Sequence, residues 1–168
     1  THDQSSAASD VYKRQSLRKM NKLFPDVADN NYMGAKSAYY FFILWMLLNT
    51  WRSFVHFTAE DAGLNSIANL IIFEGTPDPN QVIYLFGSLW GEVQVLLCLV
   101  SWVILVKYRS LLSFMYLIWL LEWVLRIILI SSWHGLDDSY RTAPTPGAVY
   151  APYIAAVSYT HLRAHETY

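Results

Sequence analysis

Gln81 to Val106 reads QVIYLFGSLWGEVQVLLCLVSWVILV, and Ser110 to Trp133 reads SLLSFMYLIWLLEWVLRIILISSW. Each run is longer than the roughly 20 apolar residues a helix needs to cross a bilayer core. Only Lys107-Tyr108-Arg109 separates them. A turn this short makes the two helices an antiparallel hairpin. These stretches set the fold class: an all-α, polytopic membrane protein.

Outward from the hairpin, the same pattern recurs on both sides. Ser37 to His56 (SAYYFFILWMLLNTWRSFVH) is expected as a first membrane helix. It is preceded by the polar lead Arg18 to Lys36, broken at Pro25 and Gly34. Phe57 to Asn80 is the longest connection. Leu64, Ile67, Ala68 and Ile71 fall there at helical spacing, which predicts a short helix lying at the interface or folded back as a lid. Gly75 to Pro79 (GTPDP) closes it with a turn. After Trp133 comes a loop with Pro144, Pro146 and Gly147, then the apolar half-span 148–157, read as the start of a fourth helix. The expected architecture is an antiparallel four-helix bundle (about 37–56, 81–106, 110–133 and a partial 148–157) in a single transmembrane domain, 16–157.

The chain ends read differently. DVYKRQ (Asp10 to Gln15) and SYTHLRAHET (Ser158 to Thr167) resemble translated sequencing-adapter read-through. Residues 1–15 and 158–168 are therefore read as non-native tails that carry no function, with a start at Met20 and a truncated C-terminus. That reading leaves His56 and His134 as the histidines of interest.

Lys and Arg placement sets the orientation. Arg18, Lys19, Lys22 and Lys36 precede the first helix, and Lys107 and Arg109 sit in the hairpin turn. The first long loop holds Glu60, Asp61, Glu74 and Asp78 and no Lys or Arg; the last loop holds Asp137, Asp138 and a single Arg141. The N-terminus and the hairpin turn are expected in the cytoplasm of a bacterial inner membrane, with the acidic loops outside. The composition agrees. Of 168 residues 54% are hydrophobic, and the net charge of −1 offers nothing to nucleic acid. The expected partners are the lipid bilayer and either a second copy or another membrane protein. Cys98 is the only cysteine, so no disulfide or CxxC chemistry is available within the chain, and it reads as a small buried hydrophobe.

Charge inside the oily runs is the strongest functional signal. At a rise of about 1.5 Å per residue, Arg52 lies about 24 Å from the basic end of its helix, Glu92 about 22 Å, Glu122 about 20 Å and Arg126 about 26 Å. Three helices thus place two arginines and two carboxylates in one layer. Glu122 and Arg126 are spaced i,i+4 and can pair within their helix. Arg52 is expected to pair with Glu92 across helices, with Asn49 and Gln94 adding hydrogen bonds. Unpaired, each charge at depth costs about 2.5–3.5 kcal/mol. Two readings follow. The layer is a structural clamp that fixes helix register, or it is a polar site, open to the outside, for a small molecule or for protons. An arginine without a carboxylate partner beside a cavity would favour the second.

His56 is i,i+4 to Arg52 and near Glu60 and Asp61, which makes it a candidate proton-handling group or a helix-end cap. A haem held by His56 and His134, or a zinc ion on His56, Glu60 and Asp61, has suitable ligand types but no diagnostic spacing. No cofactor or metal is expected, and no motif identifies a reaction; the reading leans away from an enzyme.

The succession WRSFVHFTAEDAGLNSIANL, a helix with GEVQ, VKYRSLLSFMYLIWLLEW and a PTPGA loop resembles a group of small bacterial four-helix membrane proteins of uncharacterised function. More distantly, the size and layout are similar to the DoxX-like membrane proteins. That likeness implies a four-helix layout and a redox accessory role as one form of the second reading.

Overall fold

A computed structural model describes residues 23–164. The expected non-native tail 1–15, the basic residues Arg18, Lys19 and Lys22, and the last residues 165–168 lie outside that range. The described chain is helical, with no strand; Leu70 and Arg141 form an isolated antiparallel bridge between two loops.

Helix α1 spans Lys36–Thr58. Helix α2 spans Asn80–Lys107. Helix α3 runs Arg109–Trp133, opening in a 3-10 turn (Arg109–Leu111) and widening to π geometry over Leu125–Ile130. Helix α4 spans Pro146–Ala164, with Pro152 inside. It therefore begins where the sequence places it but continues past Val157, through part of the stretch read as a tail. Helices α2 and α3 are long and apolar enough to cross a membrane. Helix α1, at 23 residues, matches them in length, but Asn49, Arg52 and Ser53 break its apolar run.

The α1–α2 contact is close because small residues line it. Gly87, Gly91, Gln94, Cys98 and Ser101 are buried at spacings of four and three. A Cβ on Gly91 would stand 2.5 Å from the backbone of His56 and Phe57. Small residues that let backbones approach are the means by which apolar helices pack without a hydrophobic driving force between them.

Helix α3 joins α1 through aromatic rings. Phe42 meets Tyr116 at 5.0 Å, and Trp45 meets Trp123 at 5.5 Å and Trp119 at 6.3 Å. Hydrogen bonds tie the seam: Tyr116 Oη donates to Ala38 O at 2.7 Å, Trp119 Nε1 to Ser101 Oγ at 3.1 Å and Trp102 Nε1 to Thr50 Oγ1 at 3.0 Å, while Trp123 Nε1 is buried without a partner. Such bonds are the rule where water is excluded. At the basic end the lead segment crosses the hairpin turn, with Phe24 on Phe114 at 5.5 Å and Asp29 and Ser110 exchanging hydrogen bonds. Arg109 lies over the Tyr39 ring there at 5.1 Å.

The acidic end differs from expectation. Residues 59–70 form successive turns rather than a short helix. Ala62, Gly63 and Asn69 have φ of 50°, 66° and 60°, and that left-handed backbone interrupts any regular helix. Asp61 holds the turns together by accepting the amides of Gly63, Asn65 and Ser66. The two loops at this end then join. Ile71 N donates to Tyr140 O at 3.1 Å, Thr142 N to Asn69 O at 2.8 Å, and Thr145 Oγ1 to Ala68 O at 3.1 Å. Together they make a cap over the ends of the helices.

Candidate functional site

Three helices meet at the charged layer just beneath this cap. Arg52 on α1 donates to Gln94 Oε1 at 3.3 Å, and Gln94 Nε2 donates to Glu122 Oε1 at 3.0 Å. Glu122 and Arg126 form the i,i+4 ion pair read from the sequence. The order across the layer is thus Arg52, Gln94, Glu122, Arg126, with a neutral amide between the first arginine and the carboxylate.

Glu92 does not join it. It is exposed, on the opposite side of α2 from Gly91 and Gln94. The cause is helical geometry: at about 100° per residue, Gln94 lies some 200° around the axis from Glu92, and the small-residue face admits Gln94. Asn49 is buried but turns back on its own helix, donating to Trp45 O at 2.9 Å. Of the seven residues expected in the layer, Arg52, Gln94, Glu122 and Arg126 are connected, His56 stands beside them, and Glu92 and Asn49 face elsewhere.

Trp90 was not singled out by the sequence, yet it sits at the centre. The Arg52 guanidinium carbon is 5.2 Å from its ring and that of Arg126 is 4.8 Å away. The His56 ring meets the same indole edge-on at 4.7 Å. A shared aromatic face attracts each cation and separates two like charges. Arg126 lies in the π-helical stretch of α3, a distortion that often marks functional positions; no residue type in Leu125–Ile130 announces it.

His56 is 4% exposed and its Nδ1 stands 2.7 Å from Ala62 O. The contact pins the cap to α1. Gly63 is required alongside, since a Cβ there would fall 2.8 Å from the His56 ring. Asp61 is occupied by backbone amides, and these hold its carboxyl below the ordinary carboxylate range even though burial pushes the other way. His56 and Asp61 are thus committed to building the cap.

A cavity of about 480 Å³ lies between the layer and the cap. Arg52, His56, Trp90, Arg126, His134 and Arg141 stand in its wall, and among the described residues no carboxylate does. Arg141 comes from the second loop, delivered by the Leu70–Arg141 bridge. The Nε atoms of Arg52 and Arg141 and the indole Nε1 of Trp123 are buried without a hydrogen-bond partner. Glu122 is not in this wall; its Oε1 is held by Arg126 and Gln94, and its Oε2 is buried without a hydrogen-bond partner. The cavity thus presents three guanidinium groups and unused donors, with apolar side chains such as Leu64 and Ile130 around them. Such a site is suited to an anion carrying an apolar body.

No family model, curated protein or solved structure matches the chain. The likeness to DoxX-like proteins therefore rests on layout, and function has to be argued from the site itself.

Proposed function

We propose that this chain is a multi-pass membrane protein whose four helices cross the bilayer, and that the capped cavity binds a small anionic molecule, an amphiphile with a carboxylate or phosphate head, from the outer side. The membrane reading is supported by where the apolar surface lies. Only 33% and 22% of the residues in the most apolar windows of α2 and α3 are buried, whereas a soluble core helix hides most of its apolar surface. Leu44, Leu47, Leu48, Trp51 and Phe54 leave α1 just as open, far beyond the patches that soluble monomers expose.

The observation that carries the ligand reading is Arg52. Among the described residues its one hydrogen-bond partner is the neutral Gln94, its Nε has none, and the wall of the cavity it faces has no acid. A pure clamp would cancel this charge. The Gln94–Glu122–Arg126 part does tie α2 to α3, so register and binding share one network.

Binding is tested on the detergent-solubilised protein by quenching of Trp90 and Trp123 fluorescence. Octanoate and octyl phosphate are expected to bind, with octylammonium as the control. Arg52→Gln is expected to weaken the anions about tenfold or more, the usual worth of a charge-assisted hydrogen bond. Equal affinity for octylammonium, or an Arg52→Gln protein that binds as well as wild type, rejects the reading.

A further inference from the structure

Two of the three arginines in the cavity wall lack a counter-charge. Arg126 is paired with Glu122. Arg52 has the neutral amide of Gln94 as its partner. Arg141 enters the wall from the cap and makes neither an ion pair nor a side-chain hydrogen bond among the described residues. The acids beside it in the loop do not offset it: Asp137 accepts the Ser139 amide at 2.8 Å, and Asp138 is exposed. The same wall holds three buried donors with no partner, Nε of Arg52, Nε of Arg141 and the indole Nε1 of Trp123. Unpaired charge and unsatisfied donors are both costly away from water, and a bound group that satisfies both removes the cost.

Two uncancelled charges and three open donors discriminate among anionic heads. A carboxylate brings one charge and two oxygens. A sulfate ester brings three terminal oxygens but one charge, and a phosphate diester one charge and two terminal oxygens. A phosphate monoester brings three acceptor oxygens and close to two charges at neutral pH. We propose that the head recognised in this cavity is the dianion of a phosphate monoester, held between Arg52 on the helix side and Arg141 on the cap side, with Arg141 setting the preference for the second charge. The inference rests on the anion-binding reading above and narrows it. Guanidinium forks match phosphate oxygens in geometry as well as charge. The two arginines differ in what else they do. Arg52 also serves the network through Gln94. Arg141 builds the cap with its backbone alone, bridging to Leu70 and donating N–H to Asp138 O at 3.0 Å. Its side chain is thus left to the ligand.

The test compares octyl phosphate, octyl sulfate and methyl octyl phosphate on the detergent-solubilised chain, by the same tryptophan quenching. It is run at pH 8, above the second phosphate ionisation at about 6 and the ordinary histidine value of about 6.5. Octyl phosphate is expected to bind at least tenfold more tightly than either monoanion. Arg141→Gln is expected to cut that ratio below threefold, and Arg141→Lys, which keeps the charge, to hold it above fivefold. Protease resistance of 59–70 checks the cap in both variants, and the wild-type ratio decides whether or not they fold. Competition separates the sources of such a head. Displacement of octyl phosphate by dioleoyl phosphatidic acid assigns it to a lipid, and displacement by glycerol 3-phosphate alone assigns it to a soluble ester. The inference is overturned if octyl phosphate binds no better than octyl sulfate, if Arg141→Gln with an intact cap keeps the wild-type ratio, if neither competitor displaces octyl phosphate, or if dioleoyl phosphatidylcholine, a diester, competes as well as phosphatidic acid. Failure of the anion reading itself looks different: none of the three anions would then bind more tightly than octylammonium.

Discussion

Gln94 uses both ends of its amide, accepting from Arg52 and donating to Glu122. Removing either neighbour of that amide has a different cost. Glu122→Gln strips the counter-charge from Arg126 and leaves a cation beside the Trp90 ring. The pair is partly buried, with Arg126 25% and Glu122 19% exposed, so the loss is expected to stay below the roughly 3–5 kcal/mol of breaking a fully buried pair from one side, and to read as a fall in melting temperature by differential scanning fluorimetry. Gln94→Leu deletes two hydrogen bonds that each have one charged partner, Arg52 and Glu122, but leaves the ion pair in place, and about 1–3 kcal/mol is expected for the groups left unsatisfied. Glu92→Gln is expected to leave the solubilised monomer within about 0.5 kcal/mol of wild type, as for an exposed position. A fall as large as that of Glu122→Gln would place Glu92 in the layer after all. The sequence made the i,i+4 pair legible because both partners lie on one helix. It misassigned the cross-helix partner of Arg52 because depth was counted and rotation was not: Glu92 and Gln94 are at nearly one height and on opposite faces. Trp90 stayed hidden among many tryptophans, since nothing in a residue's type says that two guanidinium groups converge on it.

Elements bring these residues together through glycine. A Cβ at Gly91 would meet backbone, at 2.5 Å from both His56 C and Phe57 N. One at Gly87 would meet side chains, the Ala62 Cβ at 2.8 Å and Leu64 Cδ1 at 2.9 Å. Backbone cannot step aside, so Gly91→Ala is expected to lower global stability by about 1–3 kcal/mol. Gly87→Ala pushes on the cap, and faster proteolysis within 59–70 is expected while the helices keep their melting temperature. Equal effects from the two substitutions would mean that the cap and the helices move as one body. The cap also carries a pH dependence. The Asp61 carboxyl is held below its ordinary value in the folded chain, burial being outweighed by the amides of Ser66, Gly63 and Asn65. A folded value below the unfolded one, about 3.9 for Asp, gives stability that is present above the unfolded value and lost as pH falls through the folded one. The cap is thus expected to resist protease at pH 6 and to loosen progressively as the pH is lowered below the unfolded value, and Asp61→Asn should already be loose at pH 6. The apolar periodicity that suggested a helix in 64–71 was real. It points Leu64, Ile67 and Ala68 into the cavity, but Ala62 and Asn69 take left-handed backbone that no pattern of hydrophobicity encodes.

At the scale of the molecule, charge separates the two ends more sharply than any contact does. Helix limits were legible to within about two residues for α1 to α3, because Pro, Gly and charged residues stop apolar runs whatever they pack against. How the loops between them zip together was not, since backbone hydrogen bonds such as Thr142 to Asn69 depend on tertiary placement. The ends still differ plainly. Lys36, Lys107 and Arg109 gather at one, with Asp26 and Asp29 in the lead segment beside them, while Glu60, Asp61, Glu74, Asp78, Asp137 and Asp138 gather at the other with Arg141 alone among them. Lys and Arg near span ends stay on the cytoplasmic side, and acids have little say. The cap and its cavity are therefore expected to face outward, where an anion would enter without crossing the membrane. Two cysteine variants read this directly, because Cys98 is buried. In intact cells a membrane-impermeant maleimide is expected to label Glu74→Cys in the cap loop. It should leave Tyr108→Cys in the hairpin turn untouched until the membrane is permeabilised. Neither substitution alters a Lys or Arg, so the orientation signal itself is preserved. The opposite labelling would turn the cavity toward the cytoplasm and make its ligand an internal one; labelling of both in intact cells would end the spanning reading of α2, since the hairpin turn and the cap lie at opposite ends of that helix.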